Sequence, residues 1–514
     1  MQRPAPAHQS LAPRVVDLAA SAALAFVLTA LPVLIHLINP SAAIAFSLVS
    51  ACAAALYFER ATPMIILTSY MFQTMFVAMA SSYAAQFSDL DSMKAYDFVT
   101  TVGIWLTMAA RILAGRIVVS PFVWRMLFAT TAILALAGLY FVAGLAMNAR
   151  GATIYMRNIG LPVLLFQIGV VVASRHRLAM RETATFLLGL LTLCGYFELV
   201  APEYWLDFTN GWNYWDLGSL SARDSGQFET AARQTGLVAT GVLDFLKSDI
   251  FNTNLLAGLD LRLVRLQGPN FHPISFGYSL ALMIAFAAVQ GQRALPLAAA
   301  PLLLFVGAKG AATLLAFTWI FCLVARFRTG ALPLVGLAAV MALYALFVFR
   351  TGLESGDFHV LGLIGGFNGF LTNPIGHTLG QGGNLSTNFA ALDWSRFQSA
   401  GAADTAVESA VGVMIYQMGI AAFGVLAIYL WLARTAWRLF EILRAPALAL
   451  AASSIVVILV NGLFQEEALF APLALGLALF LAGLTLGAVD RRICAEQRSA
   501  VTRIGDLRDA GAAA

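Results

Sequence analysis

Three cations and one acid stand where an apolar chain tolerates charge least. Arg157 interrupts the run Ile154-Tyr-Met-Arg157-Asn158, and Lys309 sits in the turn Gly307-Ala-Lys309-Gly310. Arg265 heads the segment Arg265-Leu-Gln-Gly268-Pro-Asn-Phe-His272-Pro273, which leads into another apolar run. Glu408 precedes Ser409 at the mouth of a further one. Ionisable groups at membrane depth are costly and are retained for a function or a partner. A guanidinium offers a rigid fork of donors that matches phosphate oxygens. Together the cations suit a site that holds phosphate oxygens, and the carboxylate at the head of a span usually serves a function or a partner. Plainer roles stand beside this one: headgroup contacts for the arginines, snorkelling for Arg157 and helix capping for Glu408.

Other residues could assist. Arg262 and His272 flank Arg265, and Arg396 lies in the second long polar loop. His377, in the glycine-rich stretch Asn373-Pro-Ile-Gly376-His377-Thr-Leu-Gly380, is a candidate base or an ordinary loop histidine. Asp89-Leu-Asp91 has a spacing that can hold a divalent cation, although helix-flanking polar residues account for it equally well. No Walker, dinucleotide or histidine-rich zinc motif is present, so neither a cofactor nor a metal is expected. No basic stripe points to nucleic acid.

The elements that position these groups follow from composition. Hydrophobic residues make up 60% of the 514 and charged residues only 11%, against about 25% charged in soluble domains. So little charge cannot cover a water-exposed surface, which predicts an all-α polytopic membrane protein. About fourteen spans are expected: 15–35, 41–58, 61–82, 98–115, 121–146, 153–173, 184–201, 272–290, 294–307, 311–325, 331–350, 408–432, 447–464 and 469–489. The short stretch 294–325 is expected to form a hairpin with Lys309 near the outer surface.

Arginine clusters at 3 and 14, 60, 111–125, 175–181, 326–328, 434–444 and 491–492 all fall on one side of that scheme. The positive-inside rule then puts both termini in the cytoplasm and the two long loops, about 202–270 and 351–407, outside. The first loop opens with Tyr204, Trp205, Phe208, Trp212, Tyr214 and Trp215, suited to the membrane interface or to sugar faces. Glu229–Lys247 carries apolar residues at helical spacing and predicts an interfacial helix. The first apolar run lacks a cleavage site and reads as a retained span rather than a signal peptide. None of the four cysteines lies in the long loops, so no disulfide framework is expected. Residues 1–497 read as a single membrane domain and 498–514 as a disordered tail.

The order of these motifs resembles the O-antigen polymerase and O-antigen ligase superfamily of bacterial envelope proteins. Four segments carry the resemblance: Arg265-x-x-Gly268-x-x-x-x-Pro273, Gly307-Ala-Lys309-Gly310, Asn373-Pro-x-Gly376-x-x-x-Gly380, and Glu408-Ser409 with Gly419-Ile420 following. Glu408-Ser409 stands where many ligases place His-Asn, which is closer to the exopolysaccharide polymerases of the superfamily. The resemblance implies a GT-C-like, metal-independent, inverting glycosyltransferase in the bacterial inner membrane with its site facing the periplasm. Its donor would be an undecaprenyl-pyrophosphate-linked oligosaccharide. Arg157, Arg265 and Lys309 would hold the pyrophosphate, assisted by Arg262, His272 and Arg396, and Glu408 or His377 would be the base. A polysaccharide chain-length regulator is a potential partner. Three other readings remain open: an O-antigen ligase acting on lipid A core, a transporter of lipid-linked oligosaccharide, and a non-catalytic secretion subunit. The absence of an internal repeat and the two large outer loops weigh against the transporter.

Overall fold

The computed structural model describes residues 11–224, 242, 246–249, 262–386 and 392–512. The helix expected at Glu229–Lys247 lies almost entirely outside the described residues. The chain begins with α1 Leu11–His36, α2 Pro40–Tyr57, α3 Thr62–Met79, α4 Phe87–Lys94, α5 Tyr96–Leu113, α6 Pro121–Arg175 and α7 Met180–Val200. Short helices α8 Pro202–Thr209 and α9 Gly211–Asp224 follow, then strands β1 Lys247–Asp249 and β2 Arg262–Val264. The rest comprises α10 Pro273–Val289, α11 Ala294–Ala299, α12 Leu302–Val306, α13 Lys309–Phe327, α14 Ala331–Ser355, α15 Phe358–Thr372 and α16 Trp394–Ala400. It ends with α17 Ala410–Met418, α18 Ile420–Leu443, α19 Pro446–Asn461, α20 Glu466–Phe470 and α21 Leu477–Ala512. Among the described residues, nine helices are long and apolar enough to cross a membrane. The protein is therefore an α-helical, multi-pass membrane protein. The two strands pair antiparallel as a three-residue ribbon and do not alter that class.

One of the nine makes two passes. In a straight α6, Gln167 would lie about 55 Å from Thr130 at 1.5 Å per residue. Instead its side-chain amide donates to Thr130 Oγ1 at 2.9 Å and Thr131 Oγ1 at 3.0 Å. The helix folds back at Asn148, whose backbone is non-helical (φ −152°, ψ 84°). Asn148 Oδ1 accepts from the Gly151 N–H at 3.0 Å, starting the second arm as an N-cap does. These arms correspond to the expected spans 121–146 and 153–173.

The span expected over 408–432 is two helices, not one. It breaks at Gly419 (φ 54°, ψ −133°), where an added Cβ would sit 2.1 Å from the Pro374 oxygen. The loop after α15 is threaded into this break. Ile420 N–H donates to Pro374 O, His377 N–H to Tyr416 O and Thr378 N–H to Gln417 O, each at 2.9 Å. Backbone groups freed by the break are thus satisfied inside the protein, as lipid requires. The span expected over 294–307 is likewise divided, into α11 and α12. Past residue 497, where disorder was expected, α21 continues to Ala512. The four cysteines are free.

Charges sort to the two ends of the bundle. At one end Glu59 meets Arg111, Arg175 (3.4 Å) and His176 (2.6 Å), and Ser120 Oγ donates to Asp490 Oδ1 at 2.6 Å. Both long loops leave from the opposite end, where α7 finishes and α10 and α13 begin.

Candidate functional site

Four turns converge at the loop-bearing end. The first runs from Arg265 to His272. Arg265 Nε donates to the Val306 carbonyl at 2.8 Å, which fixes the guanidinium beside the α12–α13 turn. His272 caps α10 by accepting from the Ser275 N–H at 3.2 Å through Nδ1. It is accessible to water yet closely surrounded by protein. Burial pushes its pKa below the usual histidine value, and nearby Arg265 and Lys94 add to that against the opposing Glu467, so the ring is neutral near pH 7.

The second turn carries Lys309, exposed at the head of α13 and within electrostatic reach of Arg265 and Asp357. The third is Gln465-Glu466-Glu467. A polar knot ties the second and third turns together. Tyr278 Oη donates to Gln465 Oε1 at 2.9 Å, and Asn461 Nδ2 donates to Tyr278 Oη at 3.2 Å and Gly310 O at 2.8 Å. A Cβ on Gly310 would meet Tyr278 Oη at 2.3 Å, so glycine is required where the knot is tightest. Glu467 then faces the cations, its charge acting on both Arg265 and His272.

The fourth turn holds Glu408. It is a non-glycine residue in the left-handed region (φ 59°), a conformation of order 1–3 kcal/mol that concentrates at functional sites. Asn384 Oδ1 accepts its N–H at 3.2 Å. His359 Nδ1 lies 2.9 Å from its carbonyl oxygen and 3.7 Å from Oε2. Behind it sits the buried Glu466, which accepts from Tyr155 Oη at 2.7 Å and from the Asn384 N–H at 3.4 Å. Burial raises the Glu466 pKa to about 7, with help from the charges of Glu408 and Glu467. The same end of the bundle therefore gathers two cations, Arg265 and Lys309, and the neighbouring carboxyls Glu408, Glu466 and Glu467.

Other expected residues lie elsewhere. Arg157 turns its guanidinium to Asn158 Oδ1 (3.1 and 3.2 Å), and its charge acts on Asp97 and Tyr70 rather than joining Arg265 and Lys309. Arg396 pairs with Asp404 at 3.2 Å, both well exposed. His377 stacks on Tyr416 with ring centroids 4.2 Å apart, and its backbone pins the loop to α17. Arg262 contributes its backbone to β2 opposite Asp249. Asp89 closes the capping box of α4, and Asp91 pairs with Lys94 at 3.1 Å. Among the described residues no cluster of three or more metal-ligating side chains occurs.

Sequence reasoning gave no site role to Lys94, Glu198, His359, Asn384 or the Glu466–Glu467 pair. His359 had a readable signal, since Asp357 caps α15 and accepts from the His359 N–H at 2.9 Å. Asn384 had none, because its role depends on two contacts distant in sequence.

Fold and site together define a multi-pass α-helical membrane protein with a cluster of charged side chains at one end of its bundle. No protein-family model, curated protein or solved structure matches the chain.

Proposed function

We propose that this protein is a membrane glycosyltransferase that polymerises undecaprenyl-pyrophosphate-linked oligosaccharide repeat units at the periplasmic face of a bacterial inner membrane. The observation that carries this reading is that linked turns at one end of the bundle gather Arg265, Lys309 and Glu408, whose backbone is strained. Among the described residues Arg265 and Lys309 form no ion pair.

Glu408 accepts the proton of an acceptor sugar hydroxyl. The freed oxygen attacks the anomeric carbon of the donor from the face opposite the leaving group, inverting the centre. The bond to the lipid pyrophosphate breaks, and its negative charge falls on Arg265 and Lys309. Preorganised cations in a water-poor cleft stabilise such charge strongly. The pyrophosphate supplies the driving force, so no nucleotide is required. The arginine-rich end, read as cytoplasmic by the positive-inside rule, supports a site at the periplasmic face. A chain-length regulator would approach from the loop-bearing side.

The test is reconstitution of the purified protein with lipid-linked repeat units. A ladder of products differing by one repeat supports the reading. Transfer only to lipid A core would make the protein a ligase, and no glycan transfer by a well-folded preparation would contradict enzymatic activity.

A further inference from the structure

Glu198 is a buried carboxylate with no cationic partner among the described residues. It is 4% exposed and lies in the last turn of α7. Both burial and the negative end of the helix dipole disfavour an anion there. Its two oxygens are nevertheless fully engaged. Oε1 accepts the Gln267 N–H and Oε2 the Gly268 N–H, each at 2.8 Å. Gln267 is right-handed (φ −97°, ψ −25°) and Gly268 left-handed (φ 63°). That succession turns consecutive N–H groups toward one point and makes an anion-binding nest. Gly268 is needed twice over, since a Cβ would also strike the Phe276 ring at 2.4 Å.

The nest lies midway along the segment from Arg265 to His272. Arg265 is two residues before Gln267, and His272 returns its N–H to the Gln267 carbonyl at 3.2 Å. We propose that Glu198 is an internal anion that fills this nest and thereby positions Arg265, so that the pyrophosphate is held by the Arg265 side chain and not by the nest. Glu198 is a positioning residue, acting through Arg265. The pyrophosphate part of the inference rests on the glycosyltransferase reading, whereas the clamp does not.

The experiment uses the full chain in detergent or nanodiscs with inorganic pyrophosphate as the probe. Glu198→Gln keeps the side chain's shape but offers one acceptor where two donors need satisfying. It should weaken pyrophosphate binding by about tenfold. Glu198→Ala should do so more strongly, and added formate should restore part of the affinity by occupying the vacated nest. In an Arg265→Ala background, Glu198→Gln should have no additional effect, an outcome that general destabilisation would not produce. Hydrogen exchange of the 265–272 segment is the independent arm: protection of the Gln267 and Gly268 amides should fall in Glu198→Gln. If wild-type protein fails to bind pyrophosphate, the glycosyltransferase reading suffers, and exchange alone decides the clamp. Unchanged exchange in Glu198→Gln overturns the clamp. Unchanged pyrophosphate affinity, or additive losses with Arg265→Ala, overturns the positioning role.

Discussion

At one end of the bundle a single carboxylate, Glu59, lies among Arg111, Arg175 and His176. At the other, Arg265 and Lys309 sit within electrostatic reach of Glu467 and Asp357 yet pair with neither among the described residues. Both clusters gather several charges from distant helices. The first satisfies its charges internally and locks α2, α5 and α6 together. The second leaves two cations without an ion pair among the described residues and gathers carboxyls near them. Charge density alone therefore does not mark a site. The discriminating feature is whether the charges are already satisfied.

Mutations at the two ends should separate stability from activity. Glu59→Ala strips the partner from several cations at once, and breaking a buried pair this way costs about 3–5 kcal/mol. Thermal melts should fall sharply, while activity per folded molecule is retained. Arg265→Ala should do the reverse. Losing one preorganised contact to a developing anion costs about 2.7–4 kcal/mol of transition-state stabilisation, with the melt little changed. Arg265→Lys should also be impaired, because a point charge does not reproduce the fork. Equal loss of stability from both alanine variants would erase the distinction between the ends.

A milder test uses pH. Glu466 holds its proton more tightly in the folded protein, near pH 7, than at its ordinary value of 4.5. The unfolded chain then binds fewer protons between those limits, so this group's contribution to stability declines as pH rises from about 4.5 to 7. Glu466→Gln keeps an acceptor for Tyr155 and should flatten that decline in melts recorded across the range. A slope unchanged by the substitution would mean that Glu466 is not the group responsible.

Much of this was legible in the chain. Long apolar runs and one-sided arginines specify helices and group their ends, because lipid leaves few alternatives. Arg265, Lys309 and Glu408 stood out as charges at the mouths of apolar runs. The break at Gly419 was not legible, since the glycine is needed only because the Pro374 loop presses on it. The fold-back at Asn148 was readable as two spans but not as a turn without a loop. Arg157 looked equivalent to Arg265, and only the packing of α5 shows that its charge acts on Asp97. Glu198 and Asn384 act through backbone groups remote in sequence, which no local pattern encodes.

The proposal stands or falls on whether the charged cluster at the loop-bearing end performs glycosyl transfer with Glu408 as base. The most direct measurement is the rate of polymer formation by purified Glu408→Gln on undecaprenyl-pyrophosphate-linked repeat units, set beside wild type and His377→Ala. Glutamine preserves shape and hydrogen bonding while removing basicity. Loss of a general base lowers the rate by about 10²–10⁴, so Glu408→Gln should still bind the donor but extend it very slowly. Normal polymerisation by Glu408→Gln with loss in His377→Ala would move the base to the loop histidine, and normal rates in both would contradict the assignment of this charged cluster as the catalytic site.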